Sequence, residues 1–332
     1  MTDLLAATSD GVARVAGNGD GGWSVKTLLD GGRAQCIAAD PGDPNRLFAG
    51  SHGRGVWKSA DGGASWHDAA LPADDVFSLA VSPVDGAVYA GCEPSMLFRS
   101  RDGGEGWEEL SSLREIPSAP SWSFPPRPWT SHVRWIAPSP HDADRILAGI
   151  ELGGVMLSED GGATWKDHRP GAQPDCHALA WHPRSEGRAY EAGGGGAAWS
   201  SDGGETWRGA DEGRDRNYTW ALAVDPEDPE RWYVSASTGP MQAHGSRSAE
   251  AHMYRWRGEG PWERLTGGLS DPLDSMPYAL AAADGALFAG FANGEIHRSD
   301  DRGDSWRSLP LEGDTPERIL ALVPLAGASG SG

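Results

Sequence analysis

The side chains that could do chemistry in this 332-residue chain are scattered along it and do not form one local motif. Glu151 and His177 could pass a proton to and from a bound molecule, because a carboxylate and an imidazole commonly act as acid and base near neutral pH. Arg134 could hold a carboxylate or a phosphate, and Trp220 could stack on a ring. If the chain is an enzyme, we predict that Glu151 and His177 are its catalytic residues.

A wider set of polar and aromatic residues is predicted to bind the ligand at the same place. Most of them lie just before the first strand of a sequence repeat, or in the loop that follows its second strand. The predicted ligand-binding residues are His52, Glu93, Trp122, Arg127, Trp129, His132, Arg134, Tyr218, Trp220 and Tyr278.

A metal site is a further sequence-based possibility. His52, His132, His177 and Glu151 could converge on an ion, but no spacing such as HExxH holds two ligands on one element. We therefore assign no metal ligand, and the sequence leaves the cofactor unknown. No nucleophilic triad or phosphate-binding glycine loop stands out either, because the glycine run 193–196 falls in a loop between strands.

A repeat supplies the elements that would bring these residues together. Ser59-Ala-Asp-Gly-Gly-Ala-Ser-Trp66 recurs in copies that end at Trp107, Trp165, Trp207 and Trp306, and degenerate copies end at Trp23 and Trp262. The basic spacing is a little over forty residues, which is the length of one four-stranded propeller blade. The aspartate can cap turn amides and the glycine can adopt a positive φ, so we interpret each copy as a structural turn.

The ends of the chain complete the count of blades. The N-terminus begins at a second strand, Leu4–Thr8, whereas Arg318–Val323 is a first strand without a following partner. We predict an all-β chain: a single seven-bladed β-propeller of four-stranded antiparallel blades over residues 1–325, with a flexible tail at 326–332. One C-terminal strand and three N-terminal strands would close the ring and remove exposed sheet edges.

The Ser-x-Asp-x-Gly-x-x-Trp pattern resembles the Asp-box, or BNR repeat, of the propellers in sialidases, sortilin, xyloglucanases and photosystem II assembly factors. The resemblance implies the propeller fold and boxes that lie away from any active site, but it is not specific for one function. A sialidase would be expected to carry an Arg-Ile-Pro motif on six blades. Here Arg114-Glu-Ile-Pro117 interrupts that motif and the predicted blades number seven, which argues against a true sialidase.

Two insertions, 108–131 and 237–252, are predicted to lie on the face that surrounds the mouth of the pore. Long loops on one side of a rigid scaffold commonly form binding sites. We therefore predict a concave funnel that binds a ligand. The alternatives are that these residues line a water-filled channel, that Arg134 pairs with Glu151 or Glu93, and that the segment from Trp122 to Trp129 is a packed lid.

Composition restricts the partners. The net charge of −20 would repel nucleic acid and anionic membranes. Three cysteines without CxxC spacing and a start without an apolar signal segment indicate reduced thiols and a cytoplasmic location. We predict a soluble protein that binds a polar small molecule or saccharide and could transform it as a glycosidase-like hydrolase or lyase. The alternative is a non-catalytic scaffold for a protein partner.

Overall fold

The computed structural model describes residues 2–19, 21–124, 130–245 and 247–325. They form seven antiparallel sheets arranged in a ring, which confirms the predicted seven-bladed β-propeller. The first strands of neighbouring blades pack against one another around the axis, and blade 7 packs against blade 1. The strands of each blade are labelled A to D, from the axis outward. No helix in these ranges is long and apolar enough to span a bilayer.

The strand bounds follow the sequence repeat. Blade 1 contains Ala34–Asp40, Asp43–Ser51, Gly55–Ser59 and His67–Asp68, and blade 2 contains Val76–Val81, Val88–Cys92, Leu97–Ser100 and Glu108–Glu109. Blade 3 contains Val133–Pro138, Ile146–Ile150 and Gly154–Ser158, and blade 4 contains Cys176–Trp181, Ala189–Gly193, Gly196–Ser200 and Arg208–Gly209. Blade 5 contains Tyr218–Val224, Arg231–Ser237, His252–Arg257 and Glu263–Leu265, and blade 6 contains Pro277–Ala283, Ala286–Phe291, Ile296–Ser299 and Arg307–Ser308.

Blade 7 joins the two ends of the chain as predicted. Strand A is Ile319–Pro324, and it pairs antiparallel with strand B, Leu4–Thr8. Strands C and D are Gly11–Gly17 and Trp23–Asp30. The register, with Ala6 opposite Leu322, buries aliphatic side chains of both ends in one sheet. The predicted tail at 326–332 lies outside the described residues.

Two blades depart from the four-stranded pattern. Blade 7 has a fifth strand, Leu311–Gly313, which runs parallel to strand D as the chain returns from blade 6. In blade 3 the fourth strand is reduced to a single bridge between Leu157 and Lys166. There the Nδ1 atom of His168 accepts the Val155 N–H at 3.2 Å, so a side chain takes the place of a backbone carbonyl in the ladder.

The recurring serine and aspartate build the turn between strands C and D. In blade 3, Ser158 Oγ accepts the buried Gly162 N–H at 2.8 Å, and Asp160 Oδ1 accepts the Thr164 N–H at 2.8 Å. The same contacts recur in the turns of blades 1, 4 and 6. Blade 2 has the equivalent pair, in which Ser100 Oγ accepts the Gly104 N–H and Asp102 Oδ1 accepts the Gly106 N–H. We call these five segments, beginning at Ser59, Ser100, Ser158, Ser200 and Ser299, the far-face turns.

Backbone contacts separate two faces of the ring. On the far face the A–B turns touch the C–D turns, as in the Gly62 N–H donated to Asn45 O at 2.9 Å. On the opposite face the B–C loops touch the segments that enter strand A, as in the Gly194 N–H donated to Asp175 O at 2.9 Å. This second face surrounds the mouth of the pore.

Neighbouring blades are tied together by contacts that the repeat did not predict. Lys58 Nζ donates to Gly104 O of the next far-face turn at 3.0 Å, and Arg145 does the same to Gly203 O at 2.7 Å. Close packing nearer the axis requires a glycine in strand B. A Cβ on Gly149 would lie 2.3 Å from Cys176 Sγ of the next blade. The three cysteines themselves are all free thiols.

Candidate functional site

Strand A of each blade begins at the mouth of the pore, and strand B ends there. The residues at these positions in blades 3, 4 and 5 are therefore brought together although they are far apart in sequence. We define the pore-mouth cluster as His132, Arg134, Glu151, Asp175, His177, Tyr218 and Trp220. The cluster includes six of the predicted site residues, which the structure places in one continuous network on one face. That they act on a ligand stays a prediction.

Glu151 is approached by an imidazole and a guanidinium from its own blade. Its Oε2 atom lies 2.7 Å from His132 Nε2 and 3.5 Å from Arg134 Nε. Burial alone would raise the pKa of Glu151, but the hydrogen bond from His132 and the charge of Arg134 outweigh it and hold the pKa below its ordinary value. Glu93 of blade 2 lies on the other side of His132, 3.5 Å from Nδ1. Of the two carboxylates predicted as partners of Arg134, Glu151 pairs with it, and both Glu151 and Glu93 lie beside His132.

His177 is enclosed completely, yet only one of its ring nitrogens makes a hydrogen bond. Nδ1–H donates to Thr219 O at 2.6 Å, and the carbonyl oxygen can only accept. Nε2 lies 3.4 Å from Asp175 Oδ2 but has no hydrogen-bond partner among the described residues. A buried polar atom without a partner is uncommon in a folded protein, so it marks a position of interest.

Aromatic rings cover the blade 5 side of the cluster. The Arg134 guanidinium lies 4.6 Å from the centre of the Trp220 ring, and the His177 ring is also 4.6 Å away. His244, from the short helix Pro240–His244 in the second insertion, meets Trp220 at 4.4 Å. Arg134 therefore already occupies one face of Trp220, so a ligand ring could stack there only if the guanidinium moved.

The second insertion closes this side with a directed chain of hydrogen bonds. Tyr278 O–H donates to Ala243 O at 3.0 Å, so its oxygen accepts from His244 Nδ1–H at 3.1 Å. His244 Nε2 then accepts the Tyr218 O–H at 2.9 Å. Burial and the charges of His177 and Arg134 lower the pKa of His244 to about 4, so this imidazole is neutral at physiological pH.

Two predicted site residues outside the pore-mouth cluster, His52 and Tyr278, lie on either side of it. His52 Nδ1 lies 2.8 Å from Asp75 Oδ1, and its ring meets Phe77, which stacks on His132 at 4.0 Å. On the opposite side the Arg318 guanidinium lies over Tyr278 at 5.9 Å. Predicted residues of blades 1 and 6 thus continue the arc of contacts that begins at the cluster.

The first insertion packs over His132. The Phe124 ring meets His132 at 5.0 Å, and Thr130 Oγ1 donates to Glu93 Oε1 at 3.1 Å. Trp122 is buried in the hydrophobic core between blades 2 and 3, as the packed-lid alternative predicts. Arg127 and Trp129 lie outside the described residues, and their contacts with a ligand remain predictions.

Asp175 was not among the predicted site residues. Its position depends on the glycine run 193–196, because a Cβ on Gly194 would lie 2.0 Å from Asp175 Oδ2. That steric requirement, and the place of Asp175 two residues before His177, were the available signals. Behind it, burial raises the pKa of Glu191 to about 8, and Glu191 Oε2 accepts the Gln173 N–H at 2.9 Å.

A separate groove of about 410 Å³ lies on the side of the ring between blades 4 and 5. Tryptophans line it, but the Trp199 ring is already covered by Arg188 at 3.9 Å and approached by Arg208 at 5.2 Å. The pore mouth is the better candidate despite this cavity, because it gathers carboxylates, imidazoles and a guanidinium from three blades.

Comparison with known proteins gives two kinds of relative, and no family model matches the sequence. The photosystem II assembly lipoprotein Ycf48 of Synechococcus sp. (strain CC9902) is 23% identical over 287 residues, which cover 85% of this chain and 77% of that protein. An oligoxyloglucan-reducing end-specific xyloglucanase of Emericella nidulans is 26% identical over 257 residues, which cover 70% of this chain and only 30% of the enzyme.

Solved structures similar to this chain are of the same two kinds. The GH74 xyloglucanase from Xanthomonas campestris superimposes with a TM-score of 0.64 at 17% identity, and the match covers 93% of this chain but 47% of that one. YCF48 from Cyanidioschyzon merolae has a TM-score of 0.58 at 15% identity, and the match covers 88% of this chain and 94% of that one. A further structure, YCF48 bound to D1 peptide, has a TM-score of 0.56 at 16% identity, and the match covers 82% of this chain and 79% of that one.

The fold defines a seven-bladed β-propeller whose relatives include both a saccharide hydrolase and an assembly factor. More particularly, its fold is similar to those of the xyloglucanase and photosystem II assembly-factor propellers. The chain spans less than half the length of the xyloglucanases but most of the length of Ycf48.

Proposed function

We propose that this chain binds a saccharide, or a similarly polar small molecule, at the pore-mouth cluster. The observation that carries the proposal is the enclosed His177 Nε2 atom, which faces two carboxylates and has no hydrogen-bond partner among the described residues. Burying charged groups costs several kcal/mol per ion unless partners compensate. A water-filled channel needs no such cluster, whereas a ligand with several hydroxyl groups would supply the missing partners.

Binding, rather than hydrolysis, is the activity that the charges favour. A glycosidase needs one carboxylic acid that stays protonated until it donates to the leaving group. Glu151 has a lowered pKa and is ionised, which suits an acceptor of hydroxyl hydrogen bonds. Glu191 has the raised pKa expected of an acid, but its side chain is fully enclosed. Hydrolysis of the bound saccharide, with Glu151 and His177 as the catalytic residues, is a more specific proposal that the charges favour less than binding alone.

Isothermal titration with xyloglucan oligosaccharides and with neutral and acidic mono- and disaccharides tests the proposal. We expect saturable binding of at least one of these sugars. Arg134→Gln should weaken that binding at least tenfold, because a hydrogen bond to a charged group contributes about 1.5–3 kcal/mol. Arg184→Gln is the matched control, since Arg184 is exposed on the far face and pairs with Glu227. Absence of binding throughout the panel, or equal affinity in Arg134→Gln, would overturn the proposal.

The second candidate function is docking of an extended peptide, as in a non-catalytic scaffold. The match in length to Ycf48 favours it, because 77% of that relative is covered, against 30% of the xyloglucanase. One of the Ycf48 structures holds a D1 peptide. Fluorescence anisotropy with a labelled D1 peptide distinguishes the two functions. Peptide binding without saccharide binding would favour the scaffold, and saccharide binding alone would favour the first proposal.

A further inference from the structure

Three side chains that commonly bind metal ions meet at the pore mouth. Glu151, Asp175 and His177 each place one ligand atom within 4.8 Å of the other two. His177 Nε2 and Asp175 Oδ2 are 3.4 Å apart. Four ligands at about 2.1 Å from a tetrahedral ion are separated from one another by about 3.4 Å, so this pair already has the required spacing.

A hydrogen bond to the backbone fixes the orientation of the His177 ring. Because Thr219 O can only accept, Nδ1 carries the proton of this hydrogen bond, and Nε2 is the nitrogen left to act as a ligand. Nε2 faces the two carboxylates, is completely buried and makes no hydrogen bond with any described residue. A backbone carbonyl that fixes the distal nitrogen is the usual arrangement around a metal-bound histidine.

The other two candidate ligands are also oriented through their second oxygen. The Leu152 N–H donates to Asp175 Oδ1 at 3.2 Å, which leaves Oδ2 toward His177. His132 and Arg134 both approach the Oε2 atom of Glu151, so Oε1 is the oxygen through which Glu151 would bind an ion. The absence of a Cβ at Gly194 provides the space that Asp175 occupies. Each ligand is thus held in place independently of the ion.

We propose that Glu151, Asp175 and His177 bind one divalent first-row transition ion, with Zn²⁺ or Mn²⁺ as the matching chemistry. One imidazole and two carboxylates are suitable ligands for both ions, and the two negative charges neutralise a divalent cation. Asp175 is the most exposed of the three ligands, so a fourth ligand would enter beside it. Its role rests on the proposed function, since a vicinal pair of sugar hydroxyls could complete the coordination, but the ion can be measured without any sugar.

A second cluster in the chain, around His252, also joins a histidine to two carboxylates but has no unpartnered ring nitrogen. His252 is buried between Asp215 and Asp271, with Nδ1 at 3.1 Å from one carboxylate and Nε2 at 3.0 Å from the other. Both nitrogens are therefore occupied, and Arg216 and Arg264 share the carboxylates. This cluster has the same residue types without an unpartnered nitrogen, and it serves as the control.

The test is metal binding by the full chain after treatment with chelator. We expect titration calorimetry with Zn²⁺ or Mn²⁺ alone to show one site per chain and binding to raise the melting temperature. Asp175→Asn should weaken binding at least tenfold, whereas Asp271→Asn should leave it unchanged. In a long-range ¹H–¹⁵N spectrum, Zn²⁺ should shift Nε2 of His177 and not the nitrogens of His252.

Glu151→Gln is the second variant in case Asp175→Asn does not fold, and it should likewise weaken the ion by at least tenfold. The proposal is overturned if the wild-type chain shows no stoichiometric binding, or if binding survives in the folded variant of either ligand. It is also overturned if Asp271→Asn removes the binding. Saccharide titrations with and without chelator separate the two proposals. Zinc binding without sugar binding would support the metal site and contradict the proposed function. Sugar binding that resists chelator, in a chain that binds no zinc, would support the proposed function and contradict the metal site.

Discussion

The far-face turns and the pore-mouth cluster are built from similar residue types and serve opposite purposes. Each far-face turn satisfies its own polar groups within a few residues, as Ser158 and Asp160 do with the amides of Gly162 and Thr164. At the pore mouth no residue is satisfied locally. Glu151 depends on strand A of its blade, and His177 depends on Thr219 of the next blade.

The difference shows how repetition divides structure from function in a propeller. A turn whose own serine and aspartate accept its amide N–H groups can be copied in every blade, because those bonds need no partner from another blade. A site at the axis must instead differ between blades, since copies of one residue around the ring would place like charges together. We therefore expect changes on the far face to alter stability alone and changes at the mouth to alter binding. Four predictions test this division, in order of decreasing effect.

The largest effect should come from deleting residues 317–332, which removes strand A of the closing blade. Ile319 and Leu322 are buried there, and each lost aliphatic side chain costs about 2–5 kcal/mol. We expect the melting temperature to fall by about 10 °C or more. A chain that ends at residue 325 is the control. Melting of the 317–332 deletion within a degree or two of the full chain would show that the ring does not depend on this closure.

Trp165→Ala should cost about 3–5 kcal/mol of unfolding free energy, because the indole packs with Leu110 and Leu113 between blades 2 and 3. Trp66→Ala should cost less, since Trp66 is only half-buried. Urea unfolding measures both variants. Neither should change the affinity for zinc or for a saccharide at a temperature where the variants are folded. A loss of affinity without a loss of stability would break the division between the two faces.

Glu191→Gln should remove a dependence of stability on pH. The folded-state pKa of Glu191 is about 8, above its ordinary value of 4.5, so the folded chain keeps a proton that the unfolded chain releases. The stabilisation is complete below the unfolded pKa and declines as the pH rises from about 4.5 to 8, by up to about 1.4 kcal/mol per pH unit. Urea midpoints between pH 5 and pH 8 should decline less in the variant. The exposed Glu259→Gln is the control, and an identical slope in Glu191→Gln would refute the assignment.

Ser158→Ala should have the smallest effect, about 1–3 kcal/mol, because it leaves the buried Gly162 N–H without an acceptor. The turn lies on the face opposite the pore mouth, so we expect no change in zinc or saccharide affinity. Thr164→Val removes an exposed hydrogen bond to Asp160 in the same turn and should cost less. If Ser158→Ala were neutral, the serine of the repeat would not be a structural residue.

The fold was predictable from sequence to the level of strands and closure. The tryptophan spacing predicted the blades, and the unmatched strands at the two ends predicted the pairing of Leu4–Thr8 with the C-terminal strand. The parallel strand Leu311–Gly313 was missed because it has no counterpart in the other repeats. The lost fourth strand of blade 3 was missed because His168 replaces a backbone acceptor, and a side-chain bond leaves no periodic signal.

Alignment of the repeats also predicted which residues face the pore mouth, including His132, Arg134 and Glu151. It did not predict their partners. That Arg134 lies over Trp220, that Thr219 fixes His177 and that Asp175 reaches Nε2 are facts of packing between blades. Neither position nor residue type specifies a distance between two strands that are forty residues apart in sequence.

By itself, the sequence determined the features that repeat along the chain: the strands common to the blades, the turns that close on their own serine and aspartate, and the order of the blades. Only the tertiary structure decided which charges are paired and which nitrogen is left without a partner. The physical reason is that ionisation and hydrogen bonding at the mouth depend on distances of a few ångströms between blades. Closure of the ring sets those distances, and no local pattern encodes them.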